Sequence, residues 1–356
     1  MILTNSKIVL KFNLLKGSQK IRLIMGHRKY SAPRRGSMAF YPRVRARSLE
    51  SRVRTWSDPK MEKSSLLGFA GYKVTNLNVL SVDDREKTPN FGKNIMNSST
   101  LIATPPLKIV GIRAYGETTY GKKAIFDAFA KDNDKYLTKK ASFKFKEGKL
   151  DEINSHIDRI KEVVAVVSSN PYSASLAQKK PFVWEIPIGG KDTKSKIEYG
   201  VSNFGKQVNI KDVFETGQFI DISAITRGKG VEGPITRFGV KRKQHKSRKS
   251  VRALGTLGPI SPAVVTYTVP RQGQRGFHQR TEYNKRILII SNPEKDSDFK
   301  INPKGGFQHY GMVKNDYIIV KGSVPGVPKR LIKMRFPVRT VSKKVVEPKV
   351  LEVLMK

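Results

Sequence analysis

The chain has 356 residues, with 69 Lys and Arg against 29 Asp and Glu, and a net charge of +40, far above the roughly 2 to 8 charges that suit a small soluble domain. Self-repulsion on this scale opposes a compact free state and points to a polyanionic partner. There is no cysteine, which excludes disulfides, cysteine zinc sites, iron–sulfur ligation and thiol nucleophiles. No apolar run reaches the ~18 residues of a membrane-spanning helix, so no membrane partner is expected.

Residues 1–24 are basic and apolar, but their apolar runs are short and no small-residue cleavage site follows, so a targeting role is not expected. They read instead as an upstream start assignment or a disordered extension. Between Gly26 and Arg54 nine basic residues face Glu50 alone, around SAPRRGSM, the composition of an extended arm. LLGFAGYKVTNLNVLSV (66–82) predicts a strand, a turn and a strand, and TPPLKIVGIRAY (104–115) a strand after a Pro-Pro stop.

From Glu117 to Asn170 the charge is nearly balanced, eleven basic against nine acidic residues. Within it Ala124, Ile125, Ala128 and Phe129, and then Ile153, Ile157, Ile160 and Val164, recur at helical spacing, and VVAVV (163–167) reads as a buried strand. Two amphipathic helices and flanking strands would form an α/β insertion with its own core. After Pro181, FVWEIPI, VNIKDVF and QFIDISAI are short β-type runs; RILIIS, DYIIVKGSV and PGVPKRLIKMRFPV continue the series, which predicts a small β-barrel or sandwich.

The most basic part lies between these strands. From Arg227 to Arg286 there are fifteen basic and two acidic residues, and the eighteen residues ALGTLGPISPAVVTYTVP (253–270) carry no charge. Charged flanks around an uncharged, Gly- and Pro-rich centre predict a hairpin-like excursion with an uncharged tip. Gly228, Gly230 and Gly233 satisfy GxGxxG literally, but Pro234 and the following basic run leave no place for the helix a dinucleotide site needs, and GxxxxGK[ST] is not present. A nuclear localisation signal would account for KRKQHKSRK alone, not for the extent of the segment. Phosphate contact is the better reading. RNA suits it better than DNA, because segments this rich in Gly and Pro do not supply a major-groove helix. Phe238 and Phe277 are the candidates for base stacking.

An enzyme acting on RNA is the alternative. It would need clustered carboxylates or a positioned base, and neither the carboxylates nor the five histidines show such spacing. His245 and His278, set among Arg and Lys, read as hydrogen-bond donors to RNA.

FETGQFIDISAITRGKGVEGPITR (214–237) is similar to the signature of the universal third protein of the ribosomal large subunit, through Phe214, Asp221, Ala224, Thr226, the GKG triplet, Gly233 and Arg237. MGHRKYSAPRRGS (25–37) resembles the start of the family's archaeal and eukaryotic members, and GQRGFHQRT (273–281) their second basic block. The resemblance implies a mainly β fold: a translation-protein-type β-barrel with an α/β insertion, a basic N-terminal arm and a long irregular central extension into rRNA near the peptidyl transferase centre. The role implied is structural, in the cytoplasmic ribosome, with large-subunit rRNA and neighbouring ribosomal proteins as partners, no homo-oligomer, and no cofactor or protein-held metal beyond rRNA-associated magnesium.

The expected partition is an upstream extension (1–24), the arm (25–63), barrel parts at 64–116, 181–226 and 285–340, the insertion (117–180), the central extension (227–284) and a tail (341–356). Residues implied in rRNA contact are His27, Arg28, Lys29, Arg34, Arg35, Arg43 and Arg45 in the arm, and Arg227, Lys229 and Arg237 at the extension's root, with Gly228, Gly230 and Gly233 turning the backbone there. The first flank adds Lys241, Arg242, Lys243, His245, Lys246, Arg248, Lys249 and Arg252, and the second Arg271, Arg275, His278 and Arg280. Gly255, Gly258, Ile260 and Pro262 lie near the tip. Eukaryotic members carry a tryptophan where this chain has Ile260, and a methylatable histidine where it has Arg248.

Overall fold

The computed structural model describes residues 33–59, 62–131, 135–141, 150–247, 250–294, 299–339 and 345–355. Its strands are β1 (Ser65–Leu66), β2 (Gly68–Val82), β3 (Asn94–Ala103), β4 (Leu107–Thr118), β5 (Gly121–Phe129), β6 (Glu162–Ser168), β7 (Val183–Gly189) and β8 (Gln207–Val208). These are followed by β9 (Phe219–Ile225), β10 (Val231–Glu232), β11 (Gly273–Gln274), β12 (Gln279–Ser291), β13 (Tyr317–Lys321), β14 (Leu331–Arg335) and β15 (Val350–Leu354). Helices are few and short: α1 (Lys135–Thr138), α2 (Thr193–Ser202) and α3 (Pro234–Phe238). The fold is mainly β.

The chain divides into two compact units. Among the described residues the smaller comprises 33–44 and 230–275, and the larger takes the rest. The larger unit holds two antiparallel sheets. In one, the pairings run β14–β9–β12–β13–β3–β2 and return from β2 to β14, with β15 added on β2. The other runs β1–β7–β6–β4–β5, with β8 on β4.

The β-branched runs explain both sheets. QFIDISAI, RILIIS and DYIIV are rich in Ile and Val, which fit a pleated, packed surface, and Ile220, Ile222, Ile287, Ile318 and Ile332 are completely buried in the cyclic sheet. A single hydrophobic cluster passes from these residues into Ile109, Ile112, Ala165 and Ile186 of the second sheet. Tyr72 on β2 donates to Ser169 Oγ just after β6 (3.1 Å), and Tyr310 donates to the Ala174 carbonyl. Burial pushes both phenols above their usual range.

Three local expectations change. Segment 66–82 is not strand, turn and strand: β2 runs unbroken, its register slipping at Lys73/Thr75, because partners on both sides hold a fifteen-residue strand together across its glycines. The helix expected at 124–129 is β5. Its helical spacing yields to pairing with β4 from Gly111↔Phe129 to Thr118↔Gly121, which buries Phe126 and Ala128 on one face. The second predicted helix forms only as 3₁₀ turns (Asp151–Arg159), with Ile153 and Ile160 buried. The expected α/β insertion is therefore predominantly β, and it shares its core with the rest of the larger unit.

VNIKDVF pairs only through β8 before a 3₁₀ turn, Ile210–Asp212, whose capping box links Asn209 and Asp212. Across from it, α2 packs Ile197 and Gly200 against the second sheet; the Ile112 side chain would lie 3.1 Å from a Cβ at Gly200. A side chain there would require Ile112 to shift slightly.

One carboxylate organises the end of the cyclic sheet. Asp221 is fully buried and accepts from the Arg335 guanidinium (3.2 and 3.3 Å) and from the backbone N–H of Val338 (3.2 Å) and of Asn284 (3.0 Å). It ties β9 to β14, to the bulged part of β12 and to the segment after β14. Asp221→Ala would strand a buried guanidinium, so chemical denaturation of the isolated protein should show a loss of about 3–5 kcal/mol; a change under 1 kcal/mol would mean the pair behaves like a surface salt bridge.

Candidate nucleic-acid interface

The smaller unit is built around very few carboxylates. Glu232 is its sole acidic residue, and it pairs with Arg275 at 2.7 Å. The unit's chain ends are joined by the two-residue ribbon β10–β11, Val231↔Gln274 and Glu232↔Gly273, with a further bond from Arg275 N–H to the Gly230 carbonyl (2.8 Å). The hairpin-like return of the chain is thus made by backbone pairing.

Just after β10, Gly233 leads into α3, with Pro234 at its first turn, where a missing N–H costs nothing. Gly239 ends α3 in a left-handed conformation (φ 65°), donating to the Ile235 carbonyl. Of the three glycines at the root, Gly230 alone has a positive φ (70°). In the larger unit a fourth, Gly276, is more constrained: φ is 72°, and a Cβ there would lie 1.9 Å from the Arg227 carbonyl oxygen. GQRGF therefore requires its second glycine.

With so few carboxylates, guanidinium groups find other partners. Arg43 lies over the Phe238 ring (4.4 Å to the centroid) and the Tyr41 ring (5.2 Å), and donates to the Arg237 and Ser37 carbonyls (3.4 Å each). Arg237 donates to the Gln274 and Arg271 carbonyls (3.0 and 3.1 Å). Burial first, and then the neighbouring Arg43 charge, pushes its pKa down. Arg35 donates to the Gly239 carbonyl at 3.0 Å. Tyr41 stacks on Phe238 and meets Tyr267 edge-on. This is a small core of rings and guanidiniums that binds segment 33–44 to segment 230–275.

The implied contact residues therefore divide by environment. Arg34, Arg35, Lys241, Arg242, Lys243, His245, Lys246, Arg252 and Arg271 are exposed in the smaller unit, as are Arg45, Arg227 and Lys229 in the larger. Arg43, Arg237 and Arg275 are half-buried and engaged within the unit. His278 and Arg280 are half-buried on the larger unit, where His278 N–H donates to Thr226 Oγ1 and Arg280 pairs with Ala224 across β12–β9. His27, Arg28, Lys29, Arg248 and Lys249 lie outside the described residues. Around the tip, Gly255, Gly258 and Pro262 are exposed, and Ile260 is 97% exposed.

The two stacking candidates change role. Phe238 is buried beneath Arg43, and Phe277 is half-buried, with Arg45 and Arg330 each 5.4 Å from its ring centroid. Both rings already serve as faces for guanidiniums of this chain. Exposed aromatics lie elsewhere: in the smaller unit Tyr267 (74%) and Phe40 (51%), and in the larger unit Phe91, Tyr120, Tyr172 and Tyr283, the last on β12 beside Arg339. Tyr267 lies inside the uncharged centre, where its ring was the signal. Among the described residues no group of three or more His, Asp or Glu could hold a metal ion.

The N-terminal segment is also anchored within the larger unit. Ser51 Oγ donates to the buried Ser223 carbonyl (2.9 Å), the Gln279 amide brackets Arg52, Arg335 donates to the Thr55 carbonyl, and Glu50 pairs with Lys333 (2.5 Å) over the Trp184 ring. Burial lowers the Lys333 pKa against the opposing pull of Glu50.

Fold and surface together define a two-sheet β protein that carries a separately packed, strongly cationic hairpin unit with an uncharged, exposed tip. The family model described as ribosomal protein L3 matches residues 25–356, and the chain belongs to that family. It is 43% identical over 328 residues to the large ribosomal subunit protein uL3 of Methanosphaera stadtmanae, covering 90% of this chain and 96% of that one. It is 44% identical over 323 residues to the uL3 of Caldivirga maquilingensis (87% and 91%), and 40% identical over 315 residues to that of Archaeoglobus fulgidus (87% and 93%).

The ring-and-guanidinium core predicts a specific weakness. Arg43→Ala removes half-buried cation–π contacts worth about 1–2 kcal/mol. Limited proteolysis within 230–275 should accelerate roughly five- to thirty-fold, since cleavage follows the open population. Unchanged proteolysis would mean that Arg43 is not part of what holds the unit closed.

Proposed function

We propose that this protein is a structural constituent of the large ribosomal subunit that binds large-subunit rRNA through its arm and central extension, without catalytic activity of its own. Family membership across nearly the whole chain carries the reading. The exposed cations of the first flank, with the net charge of +40, supply its physical basis: phosphate oxygens take the place of the carboxylates the unit lacks. The protein works in the cytoplasm, as part of the ribosome, with neighbouring large-subunit proteins beside it.

The cyclic pairing of β2, β3, β13, β12, β9 and β14 supports the finer reading of a translation-protein-type barrel, anchored on rRNA while 227–284 reaches toward the peptidyl transferase centre. Residues 25–63 act as the arm, and 241–252 with 271–280 are the phosphate-contacting flanks. Because Arg43, Arg237 and Arg275 are already engaged inside the unit, they position the flank, and Lys241, Arg242 and Lys243 carry direct phosphate contact.

Affinity of the isolated protein for rRNA fragments should therefore fall steeply with salt, with a log–log slope of about −0.7 per single-strand phosphate or −0.9 per duplex phosphate. Replacing Lys241, Arg242 and Lys243 together by Ala should reduce the slope by about 2 to 3, and a slope left unchanged would remove them from the interface. In cells the protein should stay with large subunits through a moderate-salt gradient; finding it mainly free would overturn the ribosomal reading.

A further inference from the structure

The uncharged centre of the smaller unit is not merely a tip. Segments 254–259 and 266–270, together with Pro33, Arg34 and Arg35, line an open groove of about 710 Å³, within the roughly 300–1,000 Å³ typical of sites for small organic molecules. We propose that this groove holds a single unpaired rRNA nucleotide, its base between the apolar walls and its phosphate at Arg34. The proposal rests on the RNA-binding reading and adds what part of the RNA is held, and how.

The walls are aliphatic and flat: Leu254, Leu257 and Val269 with the rings of Pro259 and Pro270. Apolar side chains of this kind receive bases taken out of a stack. A duplex keeps its base faces stacked and its Watson–Crick edges paired, whereas unpaired nucleotides present both a face and an edge. For the edge there are hydroxyls: Thr266 and Thr268 lie 2.9 Å apart, oxygen to oxygen, and share one hydrogen bond. Each hydroxyl has one O–H and two lone pairs, so the pair keeps one donor and spare acceptors, which suits a base edge offering both.

Charge complements this arrangement. No carboxylate lines the groove. Arg34 is exposed at its rim, with no hydrogen-bond or ion-pair partner among the described residues, while Arg35 is held by the Gly239 carbonyl and keeps N–H groups to spare. An apolar protein segment would gain from the walls but not from an unopposed cation at the rim, in a unit whose one acidic side chain is already paired. The groove thus combines features that a duplex, a free phosphate or an apolar peptide would each use only in part.

Ultraviolet cross-linking of intact large subunits, with adducts mapped by mass spectrometry, tests this. The expected result is a nucleotide adduct on the peptides containing 254–270, to a base unpaired in the rRNA. In subunits assembled with Leu257→Glu, that nucleotide should gain about fivefold or more in reactivity toward a base-modifying reagent, as lost base contacts of this kind imply. Leu257 is 40% exposed and lies outside the Tyr41, Arg43 and Phe238 packing, so incorporation should be normal. Adducts confined to 241–252 and 271–280 would overturn the groove and leave RNA binding standing. A cross-link from the groove to another polypeptide would overturn the choice of occupant, and an absence of rRNA adducts anywhere on the chain would overturn both readings.

Discussion

A shortage of carboxylates in the smaller unit is the constraint to which the rest of the molecule responds. A guanidinium taken out of water must find acceptors, and with Glu232 alone on offer the unit uses carbonyl oxygens and aromatic faces. Charge-assisted bonds to carbonyls satisfy the N–H groups, and stacking on Tyr41 and Phe238 provides packing that a lysine ammonium would not reproduce. The result has order, a backbone ribbon at its root and a ring-based core, yet its outward charges remain uncompensated. A segment that would read as an unfolded arm by composition is held together by the same residue type that repels itself.

The larger unit solves the opposite problem. There acids are available, and the buried cations meet them individually: Arg335 at Asp221, Lys333 at Glu50, and Arg286 at Asp84, where a two-pronged contact lowers the Asp84 pKa. Lys73, whose pKa burial lowers, relies on the Val324 and Gly326 carbonyls. These pairs join strands distant in sequence and hold the part of the arm around Glu50 against the sheet. Their worth lies less in attraction than in the cost of leaving either partner alone.

The two solutions serve one purpose. The larger unit is a two-sheet body with one continuous core, and the smaller has internal packing of its own, so under the proposed RNA-binding role the hairpin would not pay the full ordering entropy of a disordered tail. The proposed groove fits this division: exposed cations line the flanks, while the centre offers apolar surface beside Arg34 and Arg35.

Sequence alone determined the chemistry and most of the strands. Charge density required a polyanion, the lack of cysteine removed whole classes of site, and the Ile- and Val-rich runs marked β6, β7, β9, β12, β13 and β14 because β-branched chains favour a pleated, packed surface wherever they occur. The signature around Asp221 and the GKG triplet fixed the family. Tertiary structure decided what depends on partners far along the chain. Segment 124–129 became a strand because β4 paired with it, and β2 stayed continuous because it is flanked on both sides. Phe238 and Phe277 became platforms for guanidiniums because arginines far away in the chain, Arg43 for the one and Arg45 and Arg330 for the other, reached their faces, and Gly276 was required because the Arg227 carbonyl lies against it. Local pattern carries intrinsic preference, whereas long-range pairing and the search of each buried cation for an acceptor are settled only when the chain closes on itself.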